Sequence, residues 1–283
     1  MSRSARSPGA LRSPALWLVV PLLLVMAAGF NLPLLVMLGR SVVGAEGGFT
    51  LAHFAEVAET SVYTKVLLNT LRIAVITTGL CILLGYPLAY WLRRLPPRWQ
   101  MVGLSMVVIP FWISILVRTY AWIVVLGNAG MVNRGLLGLG LVDEPVSFLY
   151  NELGVIIGTV NVLLPFLVLP LFAAMVKIDD RLLRAAETLG ASPWTTFWRV
   201  FFPLSLPSLA AGAVLVFILT LGFFITPAVL GGGRVPMIAN MLDLLVNQMP
   251  SWEIASAIST VLLAVTLALF VLYLRLTRLE EST

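Results

Sequence analysis

Residues 153–175 read LGVIIGTVNVLLPFLVLPLFAAM, a run without one charged side chain. A hydrocarbon core is crossed by about 20 helical residues, so this run is long and apolar enough to span a membrane. Comparable stretches lie at 14–38, 66–92, 101–126, 207–230 and 254–274. With 60% of the 283 residues hydrophobic, only 11% charged and a mean hydropathy of +1.01, the outer surface must be lipid-facing, because a soluble chain is about a quarter charged. The expectation is an all-α polytopic membrane protein with six transmembrane helices in a single transmembrane domain over 1–283, without a separate soluble domain.

The net charge of +5 is scattered between apolar runs and forms no continuous basic face, which argues against nucleic-acid binding. One cysteine, Cys81, and one histidine, His53, supply neither an internal disulfide nor a Cys/His metal site. Cys81 reads as a small packing residue and His53 as a surface residue between helices.

Arg3, Arg6 and Arg12 before LWLVVPLLLVMAAGF resemble a signal peptide, but the apolar stretch continues through NLPLLVML. The reading is an uncleaved first span. Cytoplasmic segments keep an excess of Lys and Arg. Arg3, Arg6 and Arg12, then Arg93, Arg94 and Arg98, then Lys177, Arg181, Arg184 and Arg199, then Arg275 and Arg278 all fall on one side of a six-span chain. The alternate segments hold Glu46, Glu56, Glu59, Asp143, Glu144, Asp243 and Glu253 against Arg134 and Arg234. Both termini are therefore expected in the cytoplasm.

The loop at 176–206 contains KIDDRLLRAAETLGASPWTTFWRVFFP. Asp179 or Asp180 caps a short helix with Leu182, Leu183, Ala186 and Leu189 on its apolar face, and Gly190 ends it in a left-handed turn. Ser192 and Pro193 start a second helix. Its Trp194, Phe197, Trp198 and Phe201 recur as one stripe suited to the membrane surface or the bundle, and Pro203 and Pro207 lead into the fifth span.

These residues resemble the inner-membrane permeases of ABC importers, whose corresponding loop follows the pattern E-A-A, three residues, G, nine residues, I-x-L-P. Here Arg184, Ala185, Ala186, Gly190, Val200 and Pro203 keep the spacing. The departure is Arg184 in place of glutamate, with Glu187 nearly one turn on. The likeness extends over nearly the whole chain and is nearest the spermidine/putrescine branch, through NTLRIAVITT, GYPLAYWL, IPFWISILVRTYAW, GVIIGTVNVLLPFLVLPLFAAM and LGFFITPAVLGGG. The resemblance implies a type I ABC importer permease-like fold in the bacterial inner membrane. It also implies a second homologous permease, two cytoplasmic ATPase subunits and a periplasmic substrate-binding protein, with Arg184 to Gly190 and Pro203 coupling to the ATPase. Whether the permease pair is homo- or heterodimeric stays open. Related permeases serve ferric iron, thiamine or opines, so the substrate stays open too.

No G-x-x-x-x-G-K-[ST] phosphate loop is present, and the cluster Gly231–Gly233 runs into Arg234 and Val235. The expectation is that this chain binds no cofactor and is no enzyme by itself, ATP and Mg being used by partner subunits. Intramembrane charge is costly, so Arg72, Arg118 and Glu152 read either as snorkelling side chains near the outer helix ends or as pathway residues. On the second reading Arg118 and Glu152, with Trp112, Tyr120 and Asn161, face the outer mouth or brace it by pairing. A polyamine favours carboxylates and aromatic faces, which adds Phe223, Asp243 and Glu253. Arg118 would repel such a cargo unless paired. Pro87, Pro110, Pro165, Pro170 and Pro227 are hinge candidates, although prolines are also simply commoner in membrane helices. A secondary transporter is the other class; it calls for ion-coupling acids or histidines in mid-span, and the spans contain none.

Overall fold

The computed structural model describes residues 15–44 and 47–281, with side chains described for 19–44 and 47–275. Arg3, Arg6, Arg12 and Glu46 lie outside the described residues, as does the side chain of Arg278. Among the described residues the chain is helical apart from loops and one isolated bridge, Val43 to Phe49.

Six apolar helical stretches are long enough to cross a membrane: Val19–Val42, Ser61–Arg94, Ile115–Gly138, Glu152–Lys177, Pro193–Leu221 and Trp252–Arg275. The first is made of α1 (Ala15–Met26) and α2 (Leu32–Val42), joined through a π turn at Ala27–Asn31. Proline at 33 has no N–H to donate and its ring crowds the preceding turn; the wider turn just before it accommodates both. Most of this span is exposed, as a lipid-facing helix would be. A short α3 (Ala52–Glu59) precedes α4 (Ser61–Arg94), the second span, in which Pro87 is accommodated without a break.

The third span departs from the sequence expectation. A single helix over 101–126 is expected, but the chain forms α5 (Pro97–Val108), a 3-10 turn at Ile109–Trp112, and then α6 (Ile115–Leu126). Ile113 and Ser114 between them are extended, with ψ of 130° and 135°. Pro110 removes a donor; Ile109 before it stays helical, with φ −47° and ψ −44°, and the chain leaves the helix after the 3-10 turn that holds the proline. Of the five hinge prolines, it is the one that sits at an actual break. α5 starts against the end of α4, where a Cβ on Gly103 would meet Leu92. By Phe111 the chain has reached Phe166, halfway along α8 (Glu152–Lys177), with ring centroids 4.9 Å apart. The short α7 (Met131–Gly138), between α6 and α8, follows after Gly127 to Gly130 and is tied down by Asn133, which bonds Gly127 O and both backbone groups of Val146.

α8 is the axis of the bundle. Its side chains are apolar all round, the pattern of a helix buried on every side, and Val155, Leu167, Val168, Leu171 and Met175 are fully covered. Asn151 caps its start by accepting from Gly154 N at 3.0 Å. Two neighbours approach at Leu167: a Cβ on Gly85 would lie 2.9 Å from its Cδ2, and one on Gly212 2.8 Å from its Cδ1. Cys81 is buried in this core, in keeping with a packing role.

The fifth span also differs from expectation. After the separate α9 (Asp180–Thr188) it begins not near 207 but at Pro193, with α10 (Pro193–Thr196), a π turn at Phe197–Phe201 and α11 (Phe202–Leu221). Of the two places open to the aromatic stripe, the membrane surface and the bundle, its Phe197 and Phe201 take the bundle and form the foot of the span, 5.1 and 5.0 Å from the Tyr90 ring on α4. The span stops at Leu221. Gly222 to Phe224 break it before α12 (Ile225–Leu230), which holds Pro227. After α13 (Ile238–Asp243) and a further π turn, α14 (Trp252–Glu281) is the sixth span, packed on α11 and α2.

Candidate functional site

One end of the bundle gathers the arginines of two loops, and there α9 stands as a separate short helix. Asp179 caps it, its carboxylate accepting from Arg181 N at 2.8 Å. At the other end Gly190 takes φ +86°. Its N–H donates to Glu187 O at 2.9 Å and that of Ala191 to Ala186 O at 3.0 Å, the paired bonds of a Schellman stop. A Cβ on Gly190 would touch nothing within 4 Å, so the glycine is required by backbone conformation alone.

Leu183 packs against the core and Ala186 is half-buried, while Arg184, Ala185, Glu187 and Gly190 are exposed. Leu189 is 88% exposed and Trp194 72%. α9 therefore offers a rim of apolar and charged side chains outward while its inner face is fixed. Pro203 lies apart from this knuckle, exposed at the start of α11. It follows the π turn as Pro33 follows the first one, Phe202 N–H reaching back to Phe197 O. The turn aims Phe197, Phe201 and Phe202 at Tyr86 and Tyr90.

The joint beneath the knuckle is one that sequence reasoning missed. Arg93, at the end of α4, donates from Nε to Met175 O at 2.7 Å and from Nη2 to Ile178 O at 3.1 Å and Asp180 Oδ1 at 2.5 Å. Its guanidinium lies 5.0 Å from the centre of the Phe201 ring. Beside it Arg94 covers the Tyr90 ring and bonds its hydroxyl. In the sequence Arg93 shows only as one of a basic trio; its partners lie more than eighty residues away.

The eight pathway candidates are not gathered in one place, and among the described residues no hydrogen bond or ion pair joins any two of them. Trp112 ends the 3-10 turn, 88% exposed, and Tyr120 is exposed on α6. Arg118 lies in the first turn of α6, at the start of the stretch Ile115–Gly138 and just after the extended residues Ile113 and Ser114. Its Nε and Nη1 are buried without a hydrogen-bond partner, as is Oδ1 of Asn161 on α8. Phe223 packs against the core at the break after α11. Glu152 does not pair with Arg118: it opens α8 and binds Arg72 of α4 at 3.2 Å, because α4 and not α6 flanks that end of α8. This pair adjoins a cleft of about 260 Å³ lined by Lys65, Asn69 and Arg234. Asp243 accepts from Asn247 at 2.7 Å, and Glu253 is exposed in the first turn of α14. His53 reaches Val43 O at 3.3 Å.

The likenesses to known proteins agree with this arrangement. Residues 81–280 match the family model described as the binding-protein-dependent transport system inner membrane component. The chain is 39% identical over 216 residues, 75% of its own length and 74% of the other's, to the spermidine/putrescine transport system permease protein PotB of Haemophilus influenzae. It is 33% identical over 265 residues, 92% of its length and 90% of the other's, to PhnU of Salmonella paratyphi A, a permease named for 2-aminoethylphosphonate transport. Its fold matches a chain of a bacterial alginate ABC transporter, solved with an alginate pentasaccharide-bound periplasmic protein, at a TM-score of 0.72, 19% identity and 94% and 95% coverage of the two chains. With the family model matching residues 81–280 and the relatives aligned over about three quarters of both chains or more, this chain belongs to the inner-membrane components of binding-protein-dependent transport systems.

Proposed function

We propose that this chain is the permease subunit of an ATP-driven ABC importer for polyamines of the spermidine and putrescine class. It works with a second, similar permease, two cytoplasmic ATPase subunits and a periplasmic binding protein. The observation that carries the reading is the α9 knuckle, a capped helix held rigidly at the arginine-rich end with Arg184, Ala185, Glu187 and Leu189 turned outward. A partner that moves α9 moves the feet of the spans. The likeness to PotB supports the substrate class.

The knuckle end and both termini are assigned to the cytoplasm, because Arg93, Arg94, Arg98, Lys177, Arg181, Arg184 and Arg199 accumulate there. ATP and Mg act on the partner ATPases; this chain supplies pathway and lever and no catalytic group. Non-helical backbone at membrane depth is stable only where protein covers it or it lines a water-filled cavity, so the break at Ile109 to Ser114 is assigned to the pathway side, facing the second permease. ATP closure of the motors drives the two α9 knuckles, the bundle rocks, and the pathway opens alternately to each side.

Arg118 favours a second reading. A half-buried guanidinium whose Nε and Nη1 are covered and without a partner suits an anionic or zwitterionic cargo better than a polycation, and an aminophosphonate is one such cargo. Reconstitution tests both. Vesicles with the two permeases, the ATPases and a loaded binding protein should take up labelled spermidine only with ATP. ATP-dependent uptake blocked by 2-aminoethylphosphonate and indifferent to spermidine moves the assignment to the second reading. Uptake by this chain alone on an ion gradient overturns both.

A further inference from the structure

We propose that Arg93 is the positioning residue that sets the angle of α9 and passes its displacement into the bundle, a role that rests on the importer reading above. Only Ile178 and Asp179 separate α8 from α9, and both are extended, with ψ of 118° and 122°. Such a link is a hinge unless something braces it. The inner face of α9 holds the helix down through Leu183, the half-buried Ala186 and packing on α10 and the π turn at Phe197–Phe201, but none of these contacts braces the link to α8.

Arg93 closes that freedom from four sides. Its Nε donates to Met175 O, which also accepts from Ile178 N–H at 3.3 Å, and its Nη2 donates to Ile178 O just past the end of α8, where a cation meets the negative end of the helix dipole. The same Nη2 grips the Asp180 carboxylate in the first turn of α9. Its face rests on Phe201 at the foot of the fifth span. The Arg93 side chain is only 13% exposed, which shields its bonds to the two carbonyls from competing water, whereas the Asp180 carboxylate is 61% exposed and stays open to solvent. The arginine is itself held: Gln100 Nε2 donates to Arg93 O at 3.0 Å and Leu95 O at 2.9 Å, anchoring the end of α4. One planar fork thus joins α4, α8, α9 and the fifth span at a single point, and lysine, a point charge, cannot serve carbonyls, carboxylate and ring together.

The test uses the assembled transporter in liposomes with Arg93→Met, Arg93→Lys and Asp180→Asn. Substrate taken up per ATP hydrolysed should fall by about tenfold in Arg93→Met, the loss expected when charged hydrogen bonds of this kind are removed. Arg93→Lys and Asp180→Asn should fall between Arg93→Met and the parent. A purely structural role lowers uptake and hydrolysis together with the amount of complex and leaves the ratio unchanged, which overturns the proposal. The second measurement does not depend on transport: spin labels at Glu187→Cys and Trp99→Cys, in a Cys81→Ala background, report the distance between α9 and α5. Arg93→Met should broaden that distribution, and an unchanged distribution overturns the proposal whatever the vesicles do. Broadening together with no ATP-driven uptake in the parent transporter leaves the brace standing and rejects the importer reading.

Discussion

The hydroxyls of Tyr86 and Ser205 lie 2.9 Å apart, both residues buried, and join α4 to α11 above the aromatic foot of the fifth span. The two partners are not equivalent. Ser205 Oγ also reaches Phe202 O at 2.9 Å, whereas Ser205 is the one hydrogen-bond partner of the Tyr86 hydroxyl among the described residues. Tyr86→Phe should therefore lower stability by about 0.5–1 kcal/mol, and Ser205→Ala, which strands a buried hydroxyl, by about 1–3 kcal/mol. Thermal unfolding of the detergent-solubilised protein checks the order; equal losses would contradict it.

Gly190 gives a prediction in which space and conformation separate. A Cβ there has room, but φ of +86° costs an ordinary residue about 1–2 kcal/mol. Asn tolerates that region better than Ala, and a β-branched residue worst. Uptake per ATP should rank Gly190 parent, Gly190→Asn, Gly190→Ala, Gly190→Val, while all four insert equally. A rank that follows side-chain volume alone would place the requirement in a partner contact instead.

The Arg72 and Glu152 pair predicts a small energy. Their side chains are 65% and 30% exposed, and a pair of that kind is worth about 0.2–1 kcal/mol. Glu152 also sits in the first turn of α8, where a carboxylate meets the positive helix end for about 0.3–1 kcal/mol. A double-mutant cycle with Arg72→Gln and Glu152→Gln should give a coupling below about 1 kcal/mol, and Glu152→Gln should still cost something when Arg72 is absent. A larger coupling would mark the pair as a latch between α4 and α8.

Hydropathy made most of the architecture legible, since apolar runs such as 153–175 need no tertiary information to be recognised. Local chemistry made the knuckle legible too: an aspartate before a helix and a glycine after it act within one turn, and Asp179 and Gly190 sit where those rules put them. What stayed hidden depends on distant residues. The stripe at Trp194 to Phe201 fits a membrane surface as well as a span, and only Tyr86 and Tyr90 on α4 decide between them. On sequence alone Glu152 is paired with Arg118, and that it meets Arg72 instead is set by the packing of α4 beside α8. Pro110 was visible as a possible hinge, but so were Pro87, Pro165 and Pro170, which sit inside unbroken helices; nothing local distinguishes them.

Arg118 carries the last prediction, because its cost and its use point to different measurements. A half-buried guanidinium with Nε and Nη1 covered and unpaired is a liability to the isolated chain, since even partial desolvation of a charge is unfavourable unless partners repay it. Methionine has similar length and no charge to satisfy. Arg118→Met should therefore unfold at a temperature equal to or above that of the parent, against the usual direction for a buried substitution. Transport then separates the cargoes. A polycation gains nothing from a fixed positive charge, so spermidine uptake should persist or rise in Arg118→Met. An anionic or zwitterionic cargo would lose an ion-paired hydrogen bond worth about 1.5–3 kcal/mol, seen as a drop of about tenfold or more in uptake at limiting concentration. A clear drop in unfolding temperature would show instead that Arg118 is a structural brace whose partner lies within this chain.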